Sequence, residues 1–290
     1  MPNLLDIRRR IRSVRNTQQI TKAMKFVAAA KLKKAQQRVM TARPYARRML
    51  QLIQHLALRH PDQSHPLLQA RGDAKIVLLV ISGDKGLCGG FNTNIFKAAY
   101  AFMDRSPGAE VVLDVVGKKA YEHFSRRKYN ILSFYVDRLS FVDLELARQV
   151  AAPLMERFVS GAADKVFLVY NQFKSAAQQD ITVEPLLPIV DLGLEPPTAG
   201  TLPAGVDYIY DQPREAIYRD LFPQHVITQV YRALVESVAS EQSARMTAMD
   251  AATRNAGEMI DRLILTRNQI RQAAITKEII EIVGGAAALS

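Results

Sequence analysis

The densest chemistry in the chain lies in Gly83-Asp-Lys-Gly-Leu-Cys-Gly-Gly90. This turn follows an apolar run, Lys75 to Ser82, and precedes a helical pattern from about Asn92. A glycine-rich turn between a strand and a helix can cradle phosphate, because backbone amides and the helix dipole converge there. The spacing, however, is neither that of a P-loop nor GxGxxG. Lys85 comes too early, and no Gly-Lys-Ser/Thr occurs. The competing reading is a tight turn that lets backbones approach closely. Cys88 sits among these glycines, but a catalytic thiol needs a base, and the nearest histidine, His123, is remote in sequence. His55, His60 and His65 match no structural zinc spacing and read as solvated. No paired carboxylates or nucleophile elbow stand out. An enzyme would require the Gly83–Gly90 turn to enclose a ligand beside a converging acid or base.

The strongest chemical signal is charge. The 290 residues carry a formal net charge of +11, but residues 1–60 alone carry +14, with Asp6 the single acidic residue there. The remaining residues are close to neutral. Arg8-Arg-Arg10, Arg12, Arg15, Lys22, Lys25, Lys31, Lys33, Lys34 and Arg38 make up most of this excess. Three readings fit: a solvated face, a nucleic-acid surface tracking phosphates, or a surface steered toward acidic protein loops. Against nucleic acid, no recognised binding module accompanies the helix, and its apolar residues are committed elsewhere.

Two long helices must position these groups. From Leu4 to about Leu58 there is no glycine, and Ile7, Ile11, Val14, Met24, Val27, Ala28, Leu32, Ala35, Val39 and Met40 recur mostly at helical spacing. Pro44 is expected to bend or interrupt this helix. Residues 59–73 read as a linker. The helical pattern returns from about Pro213 and runs nearly to the end, with Pro223 and Gly257 as internal breakers. Residues 224–286 alone would span about 95 Å and Leu4–Leu58 about 80 Å. Helices this long cannot bury themselves, so they should pair as an antiparallel coiled coil. The apolar tail, Ile275 to Leu289, would then need another protein to cover it.

Between the helices the periodicity changes. Strands are expected at Lys75–Ser82, Glu110–Val116 and Asp164–Asn171, with a weaker, proline-containing edge strand at Ile181–Leu187. Helices are expected at about 92–103, 118–127 and 143–159, and residues 191–207 read as loop. The fold class is therefore α/β: a coiled coil of residues 1–58 and 208–290 around a central Rossmann-like domain at 74–190. No stretch reaches the length of a membrane span. No secretory signal is visible, and the lone cysteine precludes an internal disulfide.

Three blocks carry a resemblance: Ile11 to Gln36, with its Asn16-Thr-Gln-Gln-Ile-Thr-Lys-Ala-Met-Lys25 core; Ser82-Gly-Asp-Lys-Gly-Leu-Cys-Gly-Gly-Phe-Asn92; and Ile270 to Leu289. In content and order the sequence resembles the gamma subunit of bacterial F-type ATP synthase over essentially its full length. The resemblance implies a non-catalytic rotor stalk without a cofactor. It would turn inside three alpha and three beta subunits and stand on the proton-driven membrane c-ring beside epsilon. Its place would be the cytoplasmic face of the bacterial inner membrane, as a peripheral protein that binds no nucleic acid.

The resemblance also implies site residues. Met24 and Lys25, with Arg8, Arg9, Lys31 and Lys33, would face acidic beta-subunit loops. Arg245, Arg271, Gln272 and Thr276 would form a polar catch on beta. Lys85, Cys88 and Gly89 would lie at the foot, near ring and epsilon. Ile279, Ile282, Val283 and Leu289 would form the apical bearing. Chloroplast relatives carry an inserted regulatory cysteine pair. With only Cys88 and no such insertion, thiol switching is not expected here.

Overall fold

A computed structural model describes residues 4–59, 65–175, 178–189 and 214–288. The loop expected at 191–207 and the terminal Leu289 lie outside these residues. The elements are α1 (Leu4–Arg59), β1 (Lys75–Ile81), α2 (Phe91–Asp104), β2 (Glu110–Val116), α3 (Lys118–Ser125), β3 (Ile131–Tyr135), α4 (Leu144–Val159), β4 (Lys165–Phe173), β5 (Gln179–Leu187) and α5 (Arg214–Ala288). The chain divides into two compact units. One is residues 30–244; the other joins residues 1–29 to residues 245–290.

In the larger unit the five strands are ordered β3-β2-β1-β4-β5, with β5 antiparallel at one edge and the rest parallel. The continuous apolar run of β1 exists because both faces of the sheet are covered. Its alternate residues divide between them. Val77, Leu79 and Ile81 enter a core with Val150, Leu154 and Phe158 of α4 and with Phe222, Val226 and Val230 of α5. Leu78 and Val80 enter the opposite core with Phe91 and Ile95 of α2 and Phe124 of α3. Part of the stretch read as a linker is structured: Pro66–Leu68 forms a single 3-10 turn that buries Leu67.

Within this unit α1 and α5 also meet. Glu236 of α5 is 1% exposed. Its carboxylate accepts from Arg43 Nε at 3.1 Å and from the Phe173 amide at 3.3 Å, while Arg43 also donates to the Phe173 carbonyl. One buried carboxylate and its guanidinium thus tie α1, α5 and the end of β4 together.

In the smaller unit α1 presents a heptad seam to α5, with successive steps of four and three: Ile7, Ile11, Val14, Gln18, Thr21, Lys25 and Ala28. Ile7 and Ile11 pack with Ile260, and with Leu263 and Ile264 beside it. Lys25 meets Asp250, and Thr21 meets Thr253. Positions falling on α1 pair with positions rising on α5, so the two helices run antiparallel.

Two expectations need correction. Pro44 does not interrupt α1, which continues through it to Arg59. The proline lies at an exposed position, while Val39, Ala46 and Ile53 on the buried face hold the helix through the missing hydrogen bond. That packing offsets a local cost of about 3 kcal/mol. A further strand, β3, lies at the sheet edge beyond those expected, five residues long with only half-buried inward positions.

Two measurements check this account. At Gly117 φ is +97°, and an added Cβ would lie 2.3 Å from the Ser82 carbonyl oxygen. Gly117→Ala should destabilise the unit by about 3 kcal/mol or more. Gly108→Ala, at φ +90° with open space around it, should cost about 1 kcal/mol. Urea midpoints read both; equal losses would show that the close approach is unimportant. The second concerns His225, which is 5% exposed and whose Nδ1 has no hydrogen-bond partner among the described residues. Burial, helped by the charge of Arg232, lowers its pKa from 6.5 to about 4. An imidazole depressed in this way stabilises the fold fully above its unfolded value, and the contribution is lost as pH falls from 6.5 toward 4. The gap corresponds to about 3 kcal/mol. The stability of the native chain relative to His225→Gln should fall by about that amount between about pH 7 and pH 4; parallel pH profiles would contradict it.

Candidate functional site

The glycine-rich turn closes on itself. Gly83 N donates to Asn92 Oδ1 at 2.9 Å, and Lys119 N donates to the Gly83 carbonyl at 3.1 Å. The Asp84 carboxylate accepts from the amides of Lys118 at 2.9 Å, Asp137 at 3.0 Å and Leu139 at 3.1 Å. Ser82 Oγ accepts from the Ala120 amide at 2.9 Å. These contacts spend the Gly83 amide and the amides at the start of α3 on the chain's own oxygens and so tie the turn before α2 to the neighbouring elements. The turn is therefore a structural joint. Asp84, Asn92 and Ser82 are its working residues, and the sequence reading named none of them for that role. An aspartate and an asparagine flanking a glycine run are a recognisable turn signal, but the partners of Asp84 are far away in sequence.

Doubly wound sheets take ligands where the strand order reverses, outside the carboxyl ends of the strands. Here that point lies between β1 and β4. α5 fills it. Ser240 Oγ donates to the Asn171 carbonyl at 3.1 Å, Glu236 caps the Phe173 amide, and a Cβ on Gly83 would come within 2.9 Å of the Glu241 carboxylate. Of the residues expected at the foot, Lys85 and Gly89 are exposed, and Gly89 adopts φ +57°. Cys88 is buried in the core beneath the turn, with Asn92 Nδ2 3.3 Å from its sulfur.

The basic residues divide between the two units. In the smaller one, Arg8, Arg9, Arg10, Arg12, Arg15 and Lys22 are exposed. The one acidic neighbour on this stretch, Asp6, lies 3.9 Å from Arg9. Lys25 differs, because it belongs to the seam. Its ammonium is 2.6 Å from Asp250, which also meets Arg254 at 3.0 Å. The hydrogen bond from Lys25 and the two positive charges hold the Asp250 carboxyl below its usual range. Met24 is half-buried beside it. Thr21 Oγ1 and Thr253 Oγ1 lie 2.8 Å apart, and Gln18 Nε2 donates to the Thr253 carbonyl at 3.4 Å. Gly257 faces this same side chain, with Gln18 Nε2 3.1 Å from its ideal Cβ, so a side chain there would have to shift the Gln18 amide by a few tenths of an ångström. Polar seam positions of this kind fix register at some cost in stability. In the larger unit Lys31, Lys33 and Lys34 are exposed, and Arg38 lies over the Phe141 ring at 5.3 Å.

Along α5, Arg245 is buried, whereas Arg271, Gln272 and Thr276 are exposed. Ile275, Ile279, Ile280, Ile282 and Val283 are also exposed, each by about half or more of its surface. A run of large aliphatic side chains left to water on a helix marks a surface that another molecule covers.

The sequence profile of the ATP synthase family matches residues 3–289. The ATP synthase gamma chain of Pelotomaculum thermopropionicum is 46% identical over 289 residues, covering the whole of both chains. That of Geobacter sp. (strain M21) is 43% identical over 287 residues and 98% of each chain. A chain from the central stalk and c-ring structure of the Tetrahymena thermophila mitochondrial ATP synthase is 26% identical, with a TM-score of 0.59, over 80% of this chain and 99% of that one. A chain from the Euglena gracilis mitochondrial enzyme shares the fold, with a TM-score of 0.67 and 20% identity, over 99% of this chain and 94% of that one. Two long helices and a mostly parallel sheet, with full-length identity at this level, place the chain in the ATP synthase gamma-chain family.

Proposed function

We propose that this chain is the central rotary shaft of an ATP synthase, coupling rotation of a proton-driven membrane ring to catalysis on partner subunits. The observation that carries the reading is the aliphatic run of α5 from Ile275 to Val283, left exposed in a member of this family. Such a surface fits an apolar collar in which the helix end turns. Leu289 would extend the bearing formed by Ile279, Ile282 and Val283.

Torque needs stiffness and asymmetry. The antiparallel seam supplies the first, and its polar locks keep the helices from sliding. The second follows from the chain's own lack of symmetry: at any angle it presents different faces to three surrounding catalytic subunits. A face that favours one conformation of its neighbour shifts that neighbour's population, and the coupling is reciprocal. Synthesis and hydrolysis are then the same cycle run in opposite directions, with the chemistry on beta.

Arg8, Arg9, Lys31 and Lys33 are exposed cations suited to long-range attraction toward acidic loops. Met24 and Lys25 would contribute packing and register at the same level. Arg271, Gln272 and Thr276 would supply an exposed polar catch for beta, with Arg245, buried within its own chain, behind it. Lys85, Cys88 and Gly89 would lie near the ring and epsilon. No described helix is long and apolar enough to cross a membrane, which fits peripheral attachment at the cytoplasmic face of the bacterial inner membrane.

Mixing the chain with separately purified alpha and beta subunits tests the reading. A stable complex of three alpha, three beta and one shaft should form, with strong stimulation of ATPase activity, while the chain alone should be inactive. Failure to assemble, or activity in the isolated chain, would reject it. The double variant Lys31→Glu/Lys33→Glu should keep its stability within about 0.5 kcal/mol. It should slow assembly by about tenfold at low salt, with the difference fading at high salt. Unchanged assembly kinetics would remove the acidic-loop role from these two lysines.

A further inference from the structure

A cleft of about 410 Å³ opens in the larger unit between α1, the end of β4 and α5. Its wall carries Arg43, Arg47, Lys174 and Arg232, with Glu236 as the only carboxylate lining it. From this wall we propose a binding site for a soluble phosphate-bearing small molecule, independent of the rotor reading.

The cations are organised from behind. Arg43 is held by the buried Glu236 and the Phe173 carbonyl. Arg232 is held by Glu184 and by Gln229, whose Oε1 accepts from Arg232 Nε at 2.9 Å. Lys174 pairs with Asp180. Neither Glu184 nor Asp180 belongs to the cleft wall, so these pairs fix the cations without placing further negative charge in the opening. Arg47 is exposed and has no ion-pair partner among the described residues. A guanidinium offers more donors than Arg43 spends on its two contacts, and the free edges suit the oxygens of a phosphate group.

A merely solvated face accounts poorly for this arrangement. Surface arginines are mobile and keep apart from like charges, whereas Arg43 and Arg232 are half-buried and fixed around one opening. Glu236, Glu184 and Asp180 offset three of these cations, so an entering anion meets the charge of Arg47 and the unspent guanidinium donors. Pre-set donors also lower the ordering cost of binding. The volume falls within the range of small-molecule sites, about 300–1,000 Å³, which leaves room beyond a diphosphate. Ala46, Leu50 and Phe173 on the same wall give an organic portion an apolar surface.

Pyrophosphate titrated into the full chain by calorimetry, at about 0.15 M salt to screen non-specific attraction, tests the site. One saturable site per chain is expected. Arg47→Glu should weaken it by about tenfold or more, a loss typical of one charged contact. Arg126→Glu makes the same charge change on an exposed residue at the end of α3 and should leave affinity within about twofold. Arg47→Lys, which keeps the charge but loses the fork, should fall between them. Circular dichroism would confirm that the variants fold. Absence of saturable binding, or equal weakening by Arg47→Glu and Arg126→Glu, would overturn the proposal. So would binding to phosphatidylglycerol vesicles that pyrophosphate does not displace, since the cleft would then be reading a lipid surface.

Discussion

Everything else in the molecule follows from two helices too long to bury their own apolar faces. A lone amphipathic helix in water gains little beyond its propensity. α1 and α5 become stable by closing a seam on each other and, in the larger unit, by lying against the sheet. The seam is not purely apolar. Gln18, Thr21 and Lys25 interrupt it, and Thr253 and Asp250 answer them from the other helix. An all-aliphatic seam would hold more tightly but could pair in several registers; polar partners remove that freedom.

The same logic operates where the helices meet the sheet. Glu236, Ser240 and Glu241 are almost wholly buried on α5, a costly place for polar groups unless each finds a partner. Glu236 finds Arg43 and the Phe173 amide, and Ser240 finds the Asn171 carbonyl. The crevice that many sheets of this kind offer to a nucleotide is filled by the protein's own helix. The glycine-rich turn, similar in placement to a phosphate loop, has become a joint stitched by Asp84.

Much of this was legible in the sequence. β1 and β4 announced themselves by uninterrupted apolar runs, the long helices by their period, and the first of them also by its lack of glycine. The proline in β5 correctly marked an edge. β3 was missed because an edge strand of five residues, set between Arg126-Arg-Lys128 and Asp137-Arg138, has too little alternation to stand out. Pro44 does not break α1, because a local penalty is outweighed by contacts that lie elsewhere in the chain. The roles of Asp84 and Lys25 were hidden for a related reason. Their partners are 34 to 55 positions away in one case and 225 in the other. Charge and spacing marked Lys25 as an exposed cation, and only the fold shows it turned inward to its own chain.

The polar joint between α5 and the sheet has a mechanical consequence. A greasy interface resists twisting like a friction fit: side chains can creep past one another with each contact only slightly worsened. Hydrogen bonds and a buried ion pair are directional and short-ranged, so the joint behaves like a key in a slot. Below its yield point it transmits angle with almost no lag. Beyond it, several buried polar groups would lose their partners together, and the helix would slip rather than drift.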